Sequence, residues 1–234
     1  MEAPWAPVFL RLPFQRFHLL VHQYYPVDSN YICNIVAKVR AGYPAFPFLK
    51  VISFTAKPYV SALSILTNEE KESGVVCIDI GSGSTSISIF IDGSIVFAKS
   101  INIGAWYISS DISKVLSTPF DQAEAIKTFY GSALRGPNDG EEIFSTPLMG
   151  SDSDERLSLS KSRLISIIQP RFYEILMHAK KYIEQSGYND IAKRNTVITG
   201  GGSELIGSVE FSERTLESRA VSYTHLTLPT ILLV

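Results

Sequence analysis

The chain has 234 residues, 45% of them hydrophobic, enough for one or two domains with a real core. Its formal net charge is -2, so no basic face is implied and nucleic acid is excluded as an expected partner. Two cysteines, Cys33 and Cys77, make no disulfide framework and point to a reducing cytoplasm. No apolar run approaches the roughly 18 residues of a membrane span, and the N-terminus lacks the apolar region and cleavage site of a signal peptide.

Residues 1–15 carry Pro4, Pro7 and Pro13 and show no period. Residues 17–21 read as a strand. Residues 31–40 have helical spacing at Ile32, Ile35, Val36 and Val39 and end near Gly42. A further strand is expected at 48–54, then a short helix at 58–66 with proline in its first turn. Residues 67–74 read as a polar joint. The apolar run 75–80 reads as a buried strand carrying Asp79, followed by the small-residue loop Gly81-Ser82-Gly83-Ser84-Thr85. From Ser86 to Ile91 the chain leans towards alternation, and Asp92-Gly93 is a strong hairpin signal leading into a third strand at 94–101.

That context discriminates between phosphate loops. A Walker loop needs Gly-Lys-Ser/Thr and then a helix, and no Gly-Lys occurs. A dinucleotide fingerprint also needs a helix after its glycines. Here a turn between two strands offers N–H groups and hydroxyls to an anion, with Asp79 beside it able to hold a metal through water. A Gly/Ser hairpin with no ligand is the alternative reading of the same residues.

Beyond the hairpin a helix is expected at 104–116. Pro119 opens the next segment, a helix at 121–130 closed by Gly131. Residues 135–155 are loop-rich, with a short strand at 142–144 and a solvated acidic run at 151–155. A long helix at 163–186 has its apolar face on Leu164, Ile168, Phe172, Ile175, Leu176, Ala179 and Ile183, with Gly187 as its cap. Pro170 is expected to kink it or mark a boundary. A strand at 196–199 runs into Gly200-Gly201-Gly202-Ser203, and a helix follows. No internal repeat is visible.

The order of these pieces resembles the bacterial cell-division family FtsA, actin homologues that tie the FtsZ ring to the membrane. The resemblance runs from about residue 48 to 216. It is carried by the stretch from Ala62 to Gly74, the Asp79 loop, Ile101-Asn-Ile-Gly104 before Ser110-Asp-Ile112, and Ala123-Glu-Ala-Ile-Lys-Thr-Phe-Tyr-Gly131. It continues through Ile167-Ile-Gln-Pro-Arg-Phe172 and Val197-Ile-Thr-Gly-Gly201.

The resemblance implies an α/β actin-like ATPase fold, mainly its second half: a mixed sheet with an inserted smaller subdomain. It divides the chain into a remnant of the family's extra subdomain (1–47) and the end of the first domain with its connecting helix (48–73). The second large subdomain follows (74–117 and 162–218), interrupted by the inserted small one (118–161). It further implies that Asp79, Gly81, Ser82, Gly83, Ser84, Thr85 and Gly104 hold the phosphates of ATP, with Asp79 positioning Mg2+ through water. Glu124 and Lys127 would contact ribose and adenine, and Gly200, Gly201 and Gly202 would form the adenosine loop. Three-residue spacing independently puts Glu124 and Lys127 on one helical face, fit for one ligand or for an ordinary ion pair.

The implied function is a scaffold of the division site. ATP would favour self-association into filaments, with slow hydrolysis or none, at the inner face of the cytoplasmic membrane. The small subdomain would receive the FtsZ C-terminal tail, with Lys161, Arg163 and Arg171 facing its acidic groups or forming only a solvated basic face. Other division proteins are expected partners. A pilus-assembly ATP-binding protein and a small-molecule kinase of the same superfold are the competing readings.

There are departures from the family. Gly104-Ala105 stands where Gly-Gly is usual, followed by Trp106, whose bulk is expected to crowd the phosphate side. Ser86 replaces a frequent Asp. The first phosphate loop would precede residue 1, which predicts poor ATP binding by this stretch alone. In place of a C-terminal membrane helix stands a tail, 219–234, read as a foreign end without structure. His18 and His22 lack a Cys or Glu companion and read as strand residues rather than metal ligands. His178 is expected packed or exposed on the long helix. Tyr24, Tyr25, Phe46 and Phe48 are expected to serve packing.

Overall fold

The computed structural model describes residues 55–147 and 156–223. The elements expected at 17–21, 31–40 and 48–54, together with Cys33, His18, His22 and the acidic run, lie outside the described residues. The hairpin is the centre of the rest. Strands β1 (Val75–Ile80), β2 (Thr85–Ile91) and β3 (Ser94–Ile101) are antiparallel neighbours. Asp92 and Gly93 turn between β2 and β3 with φ of 49° and 71°. Those positive values at both central residues are what a two-residue turn matching the strand twist requires. On its other side β1 pairs in parallel with β6 (Thr196–Thr199), and β6 with β7 (Ala220–Ser222). The sheet order is β3-β2-β1-β6-β7, so β1 is central, and every one of its residues is buried.

Alternation sorts the sheet into two faces. Val76, Ile78, Ile80, Ile87, Ile89 and Ile198 face the main core. There they meet α3 (Ala105–Leu116), through Ile108, Ile112 and Leu116, and the long helix α5 (Lys161–Ser186). The seven apolar positions expected on α5 are all buried. Gly187 ends the helix with φ of 80°, and the Ser160 side chain caps its start. Pro170 marks no boundary, and one α-helix runs through it. Pro170 is solvent-exposed, so water can serve the carbonyl that loses its N–H partner.

The opposite face carries Val75, Cys77, Phe90 and Val197, packed with Ala62 and Leu66. These last come from α1 (Lys57–Ile65), whose Tyr59 stacks on Phe90, and from the residue after it. Cys77 is a core residue, as expected. Burial pushes its thiol up to about 12.

Four elements differ from the sequence reading. The joint before β1 is a helix, α2 (Asn68–Ser73), started by a capping box: Thr67 Oγ1 accepts from the Glu70 N–H at 3.2 Å, and Glu70 Oε2 accepts from the Thr67 N–H at 2.8 Å. Polar composition hid it, because no apolar face is needed for one capped turn. The strand expected at 142–144 is β4 (Ile143–Pro147), and it has an antiparallel partner, β5 (Arg156–Ser160). A helix α6 (Asn189–Arg194) precedes β6. Strand β7 forms within the tail where no structure was expected; residues 224–234 lie outside the described residues. The remaining helices are α4 (Phe120–Tyr130), entered through Pro119, and α7 (Ser208–Leu216), both near their expected places. Among the described residues no helix is long and apolar enough to cross a membrane.

Candidate functional site

The loop at 81–84 is tied at both ends. Gly81 N–H donates to the Ser84 carbonyl at 3.0 Å, closing the turn. Thr85, fully buried, donates its hydroxyl to the Ile103 carbonyl at 2.8 Å. The first amides of α3 reach the loop: Ala105 N–H donates to Gly81 O at 2.9 Å and Trp106 N–H to Ser82 O at 2.8 Å. This docking dictates glycine at 104, since a Cβ there would lie 2.4 Å from both loop carbonyls. The bulk of Trp106 does not enter the site. Its ring is 45% exposed and packs on Tyr107 and Phe120.

Asp79 is the next-to-last residue of β1, just before the loop, and is 8% exposed. Its Oδ2 accepts from Ser61 Oγ at 2.8 Å and lies 3.2 Å from Lys57 Nζ. Opposite, Gly200 leaves β6 with φ of +83°, and a Cβ on it would lie 2.4 Å from Asp79 Oδ1 and 2.6 Å from Ile80 O. A Cβ on Gly202 would meet Ile80 Cγ2 at 2.3 Å, whereas Gly201 has open space. Both close approaches explain why this turn is glycine-rich.

On α4, Lys127 Nζ contacts both Glu124 oxygens, at 2.7 and 2.9 Å. Beneath the pair lies Ser109 of α3, fully buried, which accepts from Lys127 Nζ at 2.8 Å and donates to Glu124 Oε2. Burial alone would raise the Glu124 carboxyl, but the hydrogen bonds from Lys127 and Ser109 outweigh it and hold the group below its ordinary value.

A cavity of about 280 Å³ opens between these parts. It brings together five of the expected residues: Ser82, Glu124, Lys127, Gly201 and Gly202. Leu205 and Ile206 give it an apolar side, Glu204 a second carboxylate, and Ala105 a methyl. Asp79, Gly81, Gly83, Ser84, Thr85, Gly104 and Gly200 stand off its walls and shape the loops around it. Sequence reasoning missed Ser109, whose partners are 15 and 18 residues away, and Glu204, which directly follows the Gly200-Gly201-Gly202-Ser203 run.

The cavity therefore offers a ligand bare backbone at Gly201 and Gly202, an apolar side, and the charges of Lys127, Glu124 and Glu204. Among the described residues there is no group of three or more His, Cys, Asp or Glu side chains able to hold a metal. Asp79 alone therefore fits a contact through water with a metal carried in on phosphates, and makes no metal site by itself.

The three basic residues are not a free cluster. Lys161 pairs with Glu142 at 2.9 Å and Asp139 at 3.5 Å. Arg171 pairs with Asp111 at 2.6 Å and with Glu174, and its guanidinium lies over the Tyr107 ring. Arg163 is exposed in the first turn of α5. His178 is half-buried on α5, 4.0 Å from Glu174.

Comparison with known proteins bears on the family and the fold. The family model of the cell division protein FtsA matches residues 76–230. The chain is 35% identical to the cell division protein FtsA of Rhizobium meliloti over 169 residues, 72% of this chain and 38% of that protein. With that of Pseudomonas aeruginosa it shares 36% over 165 residues, 70% of this chain and 39% of the relative. The chain thus spans about two fifths of the length of the curated relatives it matches. Among solved structures it resembles MreB5 of Spiroplasma citri bound to ADP, with a TM-score of 0.66 at 19% identity, covering 85% of this chain and 61% of that one. It also resembles the PilM-PilN type IV pilus biogenesis complex, with a TM-score of 0.55 at 17% identity, covering 74% and 42%. These likenesses show an actin-like α/β fold.

Proposed function

The chain belongs to the family of the cell division protein FtsA, and from that membership we propose that it is the nucleotide-binding half of an actin-like scaffold of the division site. The observation that carries the reading is the cavity that gathers Ser82, Glu124, Lys127, Gly201 and Gly202 from three separate segments. In this proposal the adenosine of ATP lies against Gly201 and Gly202, and Glu124 and Lys127 address the ribose and base. The hairpin 81–85 takes the phosphates, and Mg2+ arriving on them meets Asp79 through water. Gly104 and Gly200 keep the two loops close enough to share one ligand. That the similar MreB5 structure is bound to ADP supports this assignment.

The scaffold role, with filament formation, docking of the FtsZ C-terminal tail, recruitment of other division proteins and attachment at the inner face of the membrane through a C-terminal helix, is part of the same proposal. So is the division into a large subdomain and an inserted one at 118–161. Of the basic residues, Arg163 is the one open to an acidic tail; Lys161 and Arg171 would first have to exchange their internal partners. The family match weighs against the pilus and kinase readings.

The test is a Mg-ATP titration of the chain followed residue by residue by NMR. Perturbations concentrated at Ser82, Glu124, Lys127 and residues 201–202, with a Kd that reaches the millimolar range (about -4 kcal/mol), support the reading. No perturbation there at saturating nucleotide overturns it.

A further inference from the structure

Asp79 takes two donors from one helix. Lys57 and Ser61 are four apart at the start of α1, so both reach Oδ2 from one helical face. The Lys57 ammonium is also the group nearest to where a Gly81 side chain would stand, 2.9 Å from a Cβ built there. It therefore sits where β1, the hairpin loop and α1 meet. Its side chain is 37% exposed and that of Asp79 11%. The anion is drawn out of water and the cation that balances it is not. A carboxylate this buried is costly without partners, and Lys57 and Ser61 supply them. A free divalent ion, which prefers several anionic oxygens, would find here one carboxylate already neutralised.

We propose that Lys57 is the resident cation of the hairpin site. It holds Asp79 in the unliganded chain and keeps free divalent metal off it. When a metal-bound polyphosphate enters, Lys57 turns to the phosphate oxygens and Asp79 to the hydrated metal. Every charge keeps an opposite neighbour through the exchange, and the flexible, half-exposed lysine stem allows it. Only this second step rests on the nucleotide reading above.

The experiment uses divalent metal alone, then ATP. The melting temperature of the chain is expected to be unmoved by Mg2+, while Lys57→Gln gains roughly 2–4 °C from Mg2+ and Lys57→Gln/Asp79→Asn loses that gain. Lys57→Arg, which keeps the charge, should behave as the parent. Water-proton relaxation with Mn2+ supplies a reading on the parent and Asp79→Asn should Lys57→Gln fail to fold. Equal, weak Mn2+ binding by the two is expected. Binding by the parent that Asp79→Asn removes overturns the inference, as does a folded Lys57→Gln that gains nothing. Metal-free ATP should bind Lys57→Gln about tenfold more weakly than the parent. Absence of ATP binding by every variant would sink the nucleotide reading and leave the metal result standing.

Discussion

Glu124 and Lys127 are joined through a third residue: the buried Ser109 hydroxyl accepts from Lys127 Nζ at 2.8 Å and donates to Glu124. The ion pair on α4 is thus fixed from beneath by α3, and its side chains have less freedom than an ordinary surface pair. Ser109→Ala should lower stability by about 1 kcal/mol and weaken Mg-ATP binding. Ser109→Thr, which keeps the hydroxyl, should restore more of the binding than of the stability. Urea unfolding and calorimetric titration separate the two.

The same network sets a pH dependence. The folded-state Glu124 carboxyl lies below its ordinary value of 4.5, so its contribution is present above about that pH and is lost as pH falls through the lower folded value. The melting temperature of Glu124→Gln should therefore fall less steeply than that of the parent on acidification below about pH 4.5. Parallel acid-side slopes would contradict the network.

Gly200→Ala should cost more than about 2 kcal/mol, because it combines φ of +83° with a Cβ 2.4 Å from Asp79 Oδ1. Gly201→Ala, where space is open, should change stability by less than about 1 kcal/mol. Chemical denaturation of the pair measures both, and an equal effect would mean that the turn relaxes freely.

Charge reversal at two arginines should give different outcomes. Arg171→Glu sets three carboxylates together with Asp111 and Glu174 and should lower the melting temperature. Arg163→Glu should leave it unchanged and weaken binding of an acidic FtsZ tail peptide, read by anisotropy at two salt concentrations. Peptide binding indifferent to Arg163→Glu would remove Arg163 from the proposed contact.

The hairpin was legible because its signals are local: a buried run, alternation and Asp92-Gly93 lie next to one another. So were α5, with its seven apolar positions, and the Glu124–Lys127 pair, whose spacing is fixed by the helix itself. The capping box of α2 was present as Thr67 and Glu70 but was outweighed by the polar composition around it. Strand β5 also carried a signal, Leu157 and Leu159 in alternation, masked by the helical pattern that starts directly after it. What spacing could not reveal were partners set by the tertiary fold: Ser109 under the ion pair, and Lys57 against Asp79, 22 positions away.

The two bonds from α3 amides to the carbonyls of Gly81 and Ser82 have a mechanical consequence. The hairpin loop cannot shift without breaking these bonds or carrying the start of α3 with it, and the next turns of that helix hold Asp111, clasped by Arg171 of α5. The loop is thus tied, through α3, to the longest helix of the described fold.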